Sequence, residues 1–375
     1  MLNFKKSLKK RNVIFKKVLI IGAGIHGTFV AKYFKKYCVK ITLIEKNSSI
    51  LNETSRATHN RANRGYHYPR SIKTFNECKE AYDYFKKKYY KYLKKIPSFY
   101  CIENKSKTSF NKYIKFFKRN NLEFKIIKKN NFIKKDNLEG IIKAEEGCYD
   151  HLGISKMIER ELKNKNIKVV KNFNLKEVRN SDGDLELISK NNKCLSDNFD
   201  VIINATYDKS NEILKKFKIR NLSKYLYQLT EIAVVHSRRK IPGITIMDGD
   251  FITIMPYIKK KDLYLVYDVK NSILKKDKFP IHKLDAKKNN FKLMLKKLSK
   301  YINYTEDFTY KYSLYGYRPI PVDDINADRN TKIETSNYHN IKVYSIMEGK
   351  YISAPFVAKK LVDLICKKNQ IKKLL

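Results

Sequence analysis

Apolar and polar positions divide the chain into two regions of different character. Lys17-Val18-Leu19-Ile20-Ile21 is a short apolar run that ends in glycines, and it predicts a buried parallel strand. Gly27 to Tyr37 has helical spacing, with Phe29, Val30, Tyr33 and Phe34 supplying bulk. Val39 to Glu45 predicts a second strand, completing one βαβ unit. Helices are predicted over Ser71–Lys95, Phe110–Asn120 and His151–Asn164, the last with Ile154, Met157, Ile158 and Leu162 on one face. Phe99–Ile102, Ile167–Val170 and Phe199–Ala205 predict strands. Ser181-Asp182-Gly183-Asp184 predicts a hairpin turn between Leu175–Val178 and Leu185–Ile188.

From Thr230 the period shortens. Glu231–His236, Phe251–Met255 and Leu263–Val269 are brief β runs punctuated by Gly249 and Pro256, with a hairpin turn at Asp248-Gly249. They predict a mostly antiparallel sheet. A helix follows over Phe291–Tyr301, and Ser353–Lys367 predicts a closing helix that buries Phe356, Val357, Leu361 and Leu364. The expected fold is therefore α/β (α+β overall): a Rossmann-type domain and a second, mostly antiparallel β domain. A length of 375 residues suits two domains rather than one small core.

Composition changes this picture little. The formal net charge is +44, which suggests a polyanion partner. The lysines, however, are spread through nearly every segment alongside abundant Asn and Ile. That distribution describes a solvated basic surface, and no nucleic-acid partner is expected. Six scattered cysteines without a Cys-x-x-Cys pair read as reduced thiols in the cytoplasm. The basic first seventeen residues lack the apolar core of a secretory signal. No run reaches the ~20 apolar residues of a membrane helix, so no integral membrane segment is expected. Peripheral contact with anionic lipid stays open.

Candidate chemistry begins at Gly22-Ala23-Gly24-Ile25-His26-Gly27, a full G-x-G-x-x-G between strand and helix. Gly22 permits the tight turn, Gly24 lets a pyrophosphate approach the backbone, and Gly27 allows close helix–strand packing. The phosphates would lie at the helix start around Ile25 and His26, where free N–H groups favour anions. Glu45 ends the second strand, where an acid binds ribose hydroxyls and disfavours a 2′-phosphate. The polar run Ser55 to Ser71, which includes Asn60, Gly65 and His67, contains small residues, amides and arginines suited to crossing a flavin and its pyrophosphate.

At these residues the chain resembles the FAD-dependent oxidoreductases related to D-amino-acid oxidase, glycine oxidase and L-2-hydroxyglutarate oxidase. That group follows its acid with a Ser/Ala/Asn-rich stretch and a Gly-Tyr element, here Gly65-Tyr66. Gly65 to Ser71 is similar to members found among sugar and surface-polysaccharide genes. Gly147-Cys148-Tyr149-Asp150 and Ile167–Val178 resemble the middle flavin-domain segment, which implies that Val178 lies near the adenine. Ile202-Ile203-Asn204-Ala205-Thr206 matches the strand end beneath the dinucleotide, with Tyr207 in place of the usual glycine. Gly316-Tyr317-Arg318-Pro319 matches a G-x-R-P element. Gly349 to Pro355 matches the last flavin loop, from which Glu348 and Lys350 depart.

The resemblance implies FAD as cofactor and a discontinuous FAD-binding domain over 1–95, 145–215 and 330–375. The substrate domain would take 96–144 and 216–329. It also implies that Arg318 holds a substrate carboxylate; a structural pairing with Asp323 or Asp324 is the alternative. His67 is a candidate base or hydrogen-bond donor, or a packed histidine. Lys350 is a candidate for stabilising reduced flavin near N1. Tyr66, Tyr68, Tyr315 and Tyr317 line the pocket or pack. The seven histidines show no metal-ligand spacing. The expected activity is oxidation of a C–N or C–O bond in a small, carboxylate-bearing substrate by hydride transfer to flavin N5. The alternatives are action on a sugar or surface-polysaccharide precursor, or flavin binding without turnover.

Overall fold

The computed structural model describes residues 16–37, 39–164, 166–181, 184–282, 289–323 and 329–368. Its first layer is a six-stranded sheet in the order Lys332–Tyr338, Ile341–Met347, Val201–Asn204, Lys16–Ile21, Val39–Ile44, Ile167–Val170. All neighbours are parallel except the first two, which form an antiparallel hairpin.

Alternation along the central strand decides what covers each face. Val18 and Ile20 point into a cluster with Phe29, Phe34, Ile154 and Leu361, which come from the helices Ile25–Phe34, His151–Glu161 and Ala354–Lys368. Leu19 and Ile21 point the other way, against Val178 and Leu187 of a three-stranded antiparallel sheet and Leu214 of the helix Ser210–Lys216. Both faces are dry, which is why these strands carry continuous apolar runs.

The second layer is a nine-stranded sheet. Its path runs Ile273–Asp277, Tyr225–His236, Leu263–Asp268, Ile252–Pro256, Gly243–Met247, Ser98–Glu103, Leu138–Ala144, Phe124–Ile126. Thr309–Pro321 pairs along Tyr225–His236. Gly243–Met247 is parallel to Ser98–Glu103, and every other neighbouring pair among the described residues is antiparallel. Between the layers, Arg61–Ala62 and Leu93–Lys95 flank Gly147–Tyr149 in a small fourth sheet. No helix among the described residues is long and apolar enough to cross a membrane.

Several expectations need correction. The strands Thr309–Pro321 and Gly243–Met247 and the hairpin Lys332–Met347 were not predicted. Thr309–Pro321 alternates Tyr, Lys and Ser, so it lacks the apolar face that marks a strand in sequence. The strand at 231–236 begins earlier, at Tyr225. The last helix buries Ala354, Val357, Ala358, Leu361, Val362 and Ile365, whereas Leu364 is 44% exposed. The helix packs against the helices Ile25–Phe34 and Ile72–Tyr89, and Leu364 lies off the stripe that faces them. The Asp182-Gly183 turn lies outside the described residues, although the strands flanking it pair antiparallel. Asp248-Gly249 does join two antiparallel strands, with Gly249 at φ +116°.

Candidate FAD and substrate site

A cavity of about 920 Å³ runs from the fingerprint, along the polar run, to the second sheet. That is the upper end of the range for ligand pockets. Its dinucleotide end is built on backbone. Gly22 has φ +97°, and a Cβ there would meet the Ala205 carbonyl oxygen at 2.9 Å. A Cβ on Gly24 would come within 3.2 Å of Ser55 Oγ, which itself accepts a hydrogen bond from Ile25 N at 2.9 Å. Gly27 does not line the cavity; a Cβ there would run into the Gly22 carbonyl, so its role is to seat the helix on the strand.

Glu45 is buried at the cavity wall. Its carboxylate accepts from Ala23 N at 2.8 Å and Asn47 N at 2.9 Å, leaving lone pairs for hydroxyl donors. Beneath the fingerprint, Asn204 donates to Ser210 and Ser345, and its oxygen accepts from the Thr206 hydroxyl at 2.6 Å. These bonds hold Ala205 and Thr206 against the cavity. Tyr207 takes φ +54°, a left-handed conformation that glycine adopts more readily. Its hydroxyl lies 2.7 Å from where a Gly349 Cβ would sit, so a side chain there would have to displace the Tyr207 ring.

Glu348 and Lys350, the two departures in the last loop, are partners. Lys350 Nζ lies 3.2 Å from Glu348 Oε1 and donates to the Arg329 carbonyl at 2.7 Å. Burial opposes the Lys350 charge, but Glu348 outweighs it and holds the ammonium above the ordinary lysine range. The Lys350 cation is thus already engaged by a carboxylate at the cavity wall. Close by, neither ring nitrogen of His26 has a hydrogen-bond partner among the described residues. Burial pushes the His26 pKa down to about 4, keeping the ring neutral.

Three expected contacts fall elsewhere. Asn60, Gly65 and Val178 do not line the cavity. Asn60 is at φ +56° and its carbonyl accepts from Tyr149 N. Gly65, at φ +114°, packs on the Phe75 ring. Val178 is in the apolar cluster behind the wall, where Phe173, Asn174 and Leu175 face the cavity instead.

At the far end, Arg318 lines the cavity from the long strand Thr309–Pro321. Its Nε and Nη2 donate to Gln228 Oε1 at 3.0 and 2.5 Å, and Nη1 donates to Tyr267 Oη at 2.7 Å. Gln228 is its register partner across the ladder. No carboxylate among the described residues pairs with Arg318; Asp323 reaches Lys332 instead, and Asp324 lies outside the described residues. Burial lowers the Arg318 pKa, yet a guanidinium stays protonated. The result is a half-buried cation held by neutral partners. His67 also lines the cavity, with Nδ1 2.8 Å from Tyr100 Oη. Burial and then Arg61 push its pKa well below 6.5. Tyr68 and Tyr317 line the cavity, whereas Tyr66 and Tyr315 do not.

The polar run works as a strap. Thr54 bonds the Tyr317 backbone in the second sheet, accepting from its N–H at 3.1 Å. Arg61 is buried in an ion pair with Glu146 at 2.6 Å and donates to Thr253 and Thr245 of the second sheet. Ser55, Arg61, Glu146, Gln228 and Tyr267 were not singled out from sequence. Only the spacing of the run gave a signal for the first two.

A parallel sheet with a glycine fingerprint, a buried acid at the end of its second strand and a cavity closed by an antiparallel sheet define a dinucleotide-binding α/β oxidoreductase. The sequence model of the DAO family, described as FAD dependent oxidoreductase, matches residues 17–364, and the chain belongs to that family. Its cofactor is FAD. Among solved structures, glycine oxidase from Bacillus cereus ATCC 14579 is 14% identical with a TM-score of 0.72, covering 94% of this chain and 95% of that one. FAD-bound L-alpha-glycerophosphate oxidase from Mycoplasma pneumoniae is 17% identical at TM-score 0.73, covering 94% of each. L-proline dehydrogenase from P. horikoshii is 16% identical at TM-score 0.73, covering 96% and 95%. No curated protein sequence matches.

Proposed function

We propose that this protein oxidises a C–N or C–O bond adjacent to a carboxylate in a small substrate. The observation that carries the reading is Arg318: a half-buried guanidinium at the cavity wall whose described side-chain partners, Gln228 and Tyr267, are both uncharged. A buried cation is costly without an anion, and a substrate carboxylate supplies two oxygens in the plane of the guanidinium fork. Gln228 and Tyr267 fix that fork without neutralising it. The flavin, when bound, supplies the two-electron acceptor. Gly22, Gly24 and the helix start hold its pyrophosphate, and Glu45 its ribose. Ala205, Thr206 and Gly349 support it from below, with His26 at its edge.

The FAD-binding part comprises 1–95, 145–215 and 330–375, and the substrate part 96–144 and 216–329. Small carboxylates fit the names of two structural relatives, glycine oxidase and proline dehydrogenase. Anaerobic flavin bleaching with amino acids, N-methyl amino acids, 2-hydroxy acids and sugar derivatives tests the reading. Arg318→Ala should lower kcat/KM at least about a hundredfold, from the loss of a charged partner worth ~2–5 kcal/mol, and Arg318→Lys should recover only part. FAD content should not change in either. Bleaching by neutral sugars alone, or wild-type turnover in the alanine variant, overturns it.

A further inference from the structure

His67, Tyr100 and Glu146 come from three distant points of the sequence and form one buried chain of hydrogen bonds. Tyr100 Oη is 2.5 Å from Glu146 Oε1 and 2.8 Å from His67 Nδ1. Arg61 Nη1 donates to the same hydroxyl at 3.0 Å and to Glu146 Oε1 at 2.6 Å. The other carboxylate oxygen, Oε2, accepts from Arg64 N at 3.1 Å. The Arg61 and Glu146 side chains are almost wholly buried.

Counting protons settles the direction of this chain. Glu146 is ringed by donors from Arg61, Arg64 and Tyr100, so its oxygens accept. The Tyr100 hydroxyl has one proton, and the carboxylate takes it at the shorter distance. The hydroxyl oxygen is then left with lone pairs only. One accepts from Arg61, and the other faces His67 Nδ1. That bond can form only if Nδ1 carries the proton. The imidazole is neutral, because burial and the neighbouring Arg61 both disfavour its charge. Nε2, on the other side of the ring from Tyr100, therefore keeps its lone pair. Tyr100 does not line the cavity and His67 does, and no described residue hydrogen-bonds Nε2.

We infer that Tyr100 and Glu146 are positioning residues that lock His67 as an Nε2 hydrogen-bond acceptor, so that it receives the O–H or N–H of the substrate. This rests on the oxidase reading for the identity of the donor, but the tautomer itself does not. Arg61 is the keystone: it neutralises Glu146 and, through Thr245 and Thr253, ties the chain to the second sheet. The arrangement would bind an alcohol or a neutral amine through its proton. It offers no donor to a carbonyl, which disfavours retention of the product where an alcohol is oxidised and its O–H is lost.

The experiment uses full-length, FAD-loaded protein with 15N-labelled histidine, and Tyr100→Phe as the variant, since it keeps the ring and leaves the Arg61–Glu146 pair intact. His67 is assigned by the signal missing in His67→Gln. The expected wild-type spectrum has a protonated Nδ1 and a lone-pair Nε2. Tyr100→Phe should shift the ring toward the other tautomer. With any substrate that bleaches the flavin, it should lower kcat at least about tenfold while KM changes far less. The double variant Tyr100→Phe/His67→Gln should be no slower than His67→Gln alone. A protonated Nε2 in the wild type, an unchanged tautomer in Tyr100→Phe, or additive losses in the double variant overturns the inference. If no carboxylate substrate bleaches the flavin but the tautomer shifts as expected, the substrate reading fails and the positioning chain stands.

Discussion

At the scale of single residues, Gly24 and Arg318 show what a sequence reveals and what it conceals. Gly24 sits opposite Ser55 Oγ with room for hydrogen but not for a branched side chain. Gly24→Val should therefore yield folded protein stripped of flavin, checked by flavin absorbance alongside an unchanged far-UV spectrum. Retention of stoichiometric FAD would show that the pyrophosphate lies elsewhere. The fingerprint was legible because its chemistry belongs to backbone and local spacing. Arg318 was legible through its motif, but its partners were not. Gln228 meets it only through the antiparallel register of two strands, and Tyr267 lies on a third strand. Nothing in the local sequence of either residue marks it as a guanidinium acceptor. Val178 shows the reverse case: a motif match placed it at the ligand, whereas packing turned it into the core.

At the scale of elements, period-2 and period-3.6 patterns identified four strands of the first sheet and most helices, because those elements are dry on at least one face, but they missed the buried strands Gly243–Met247 and Ile341–Met347. Strands that face the cavity or its rim, such as Thr309–Pro321, failed to register. A ligand wall needs polar and aromatic side chains in place of the apolar alternation that identifies a sheet. The same logic hides the strap from Ser55 to Ser71. Its buried members include a charge, Arg61, whose carboxylate partner among the described residues is Glu146, beside the small fourth sheet. Glu146→Ala should leave that charge unpaired and cost about 3–5 kcal/mol, measured by chemical denaturation of the FAD-free protein. Glu146→Gln keeps the acceptors and should cost less. Equal losses in the two variants would mean that shape rather than charge holds the strap.

At the scale of the whole molecule, neutral buried histidines set the response to acid. Burial pushes His26 and His151 down to about 4 and His59 down to about 3. Each takes up a proton more readily when unfolded, below about pH 6.5, so stability present above that pH is lost as the pH falls toward the folded values. Asp208, pushed up to about 6 by burial, works in the opposite direction and offsets part of this. The FAD-free protein should lose on the order of 2 kcal/mol per histidine between pH 6.5 and 5. A flat denaturation profile over that range would contradict this. The order of the first sheet carries a consequence for biosynthesis. Val201–Asn204 is flanked by Lys16–Ile21, made before it, and by Ile341–Met347, made long after it, and the whole of Tyr225–Pro321 is translated in between. On the ribosome, an apolar strand edge thus waits on the order of ten seconds for its neighbour, an open template for wrong pairing. Stalled nascent chains ending before residue 341 should be protease-sensitive and chaperone-bound. Chains extended by a linker beyond residue 368 should become resistant and capture FAD, so the flavin is acquired only after Ile341–Met347 has been made.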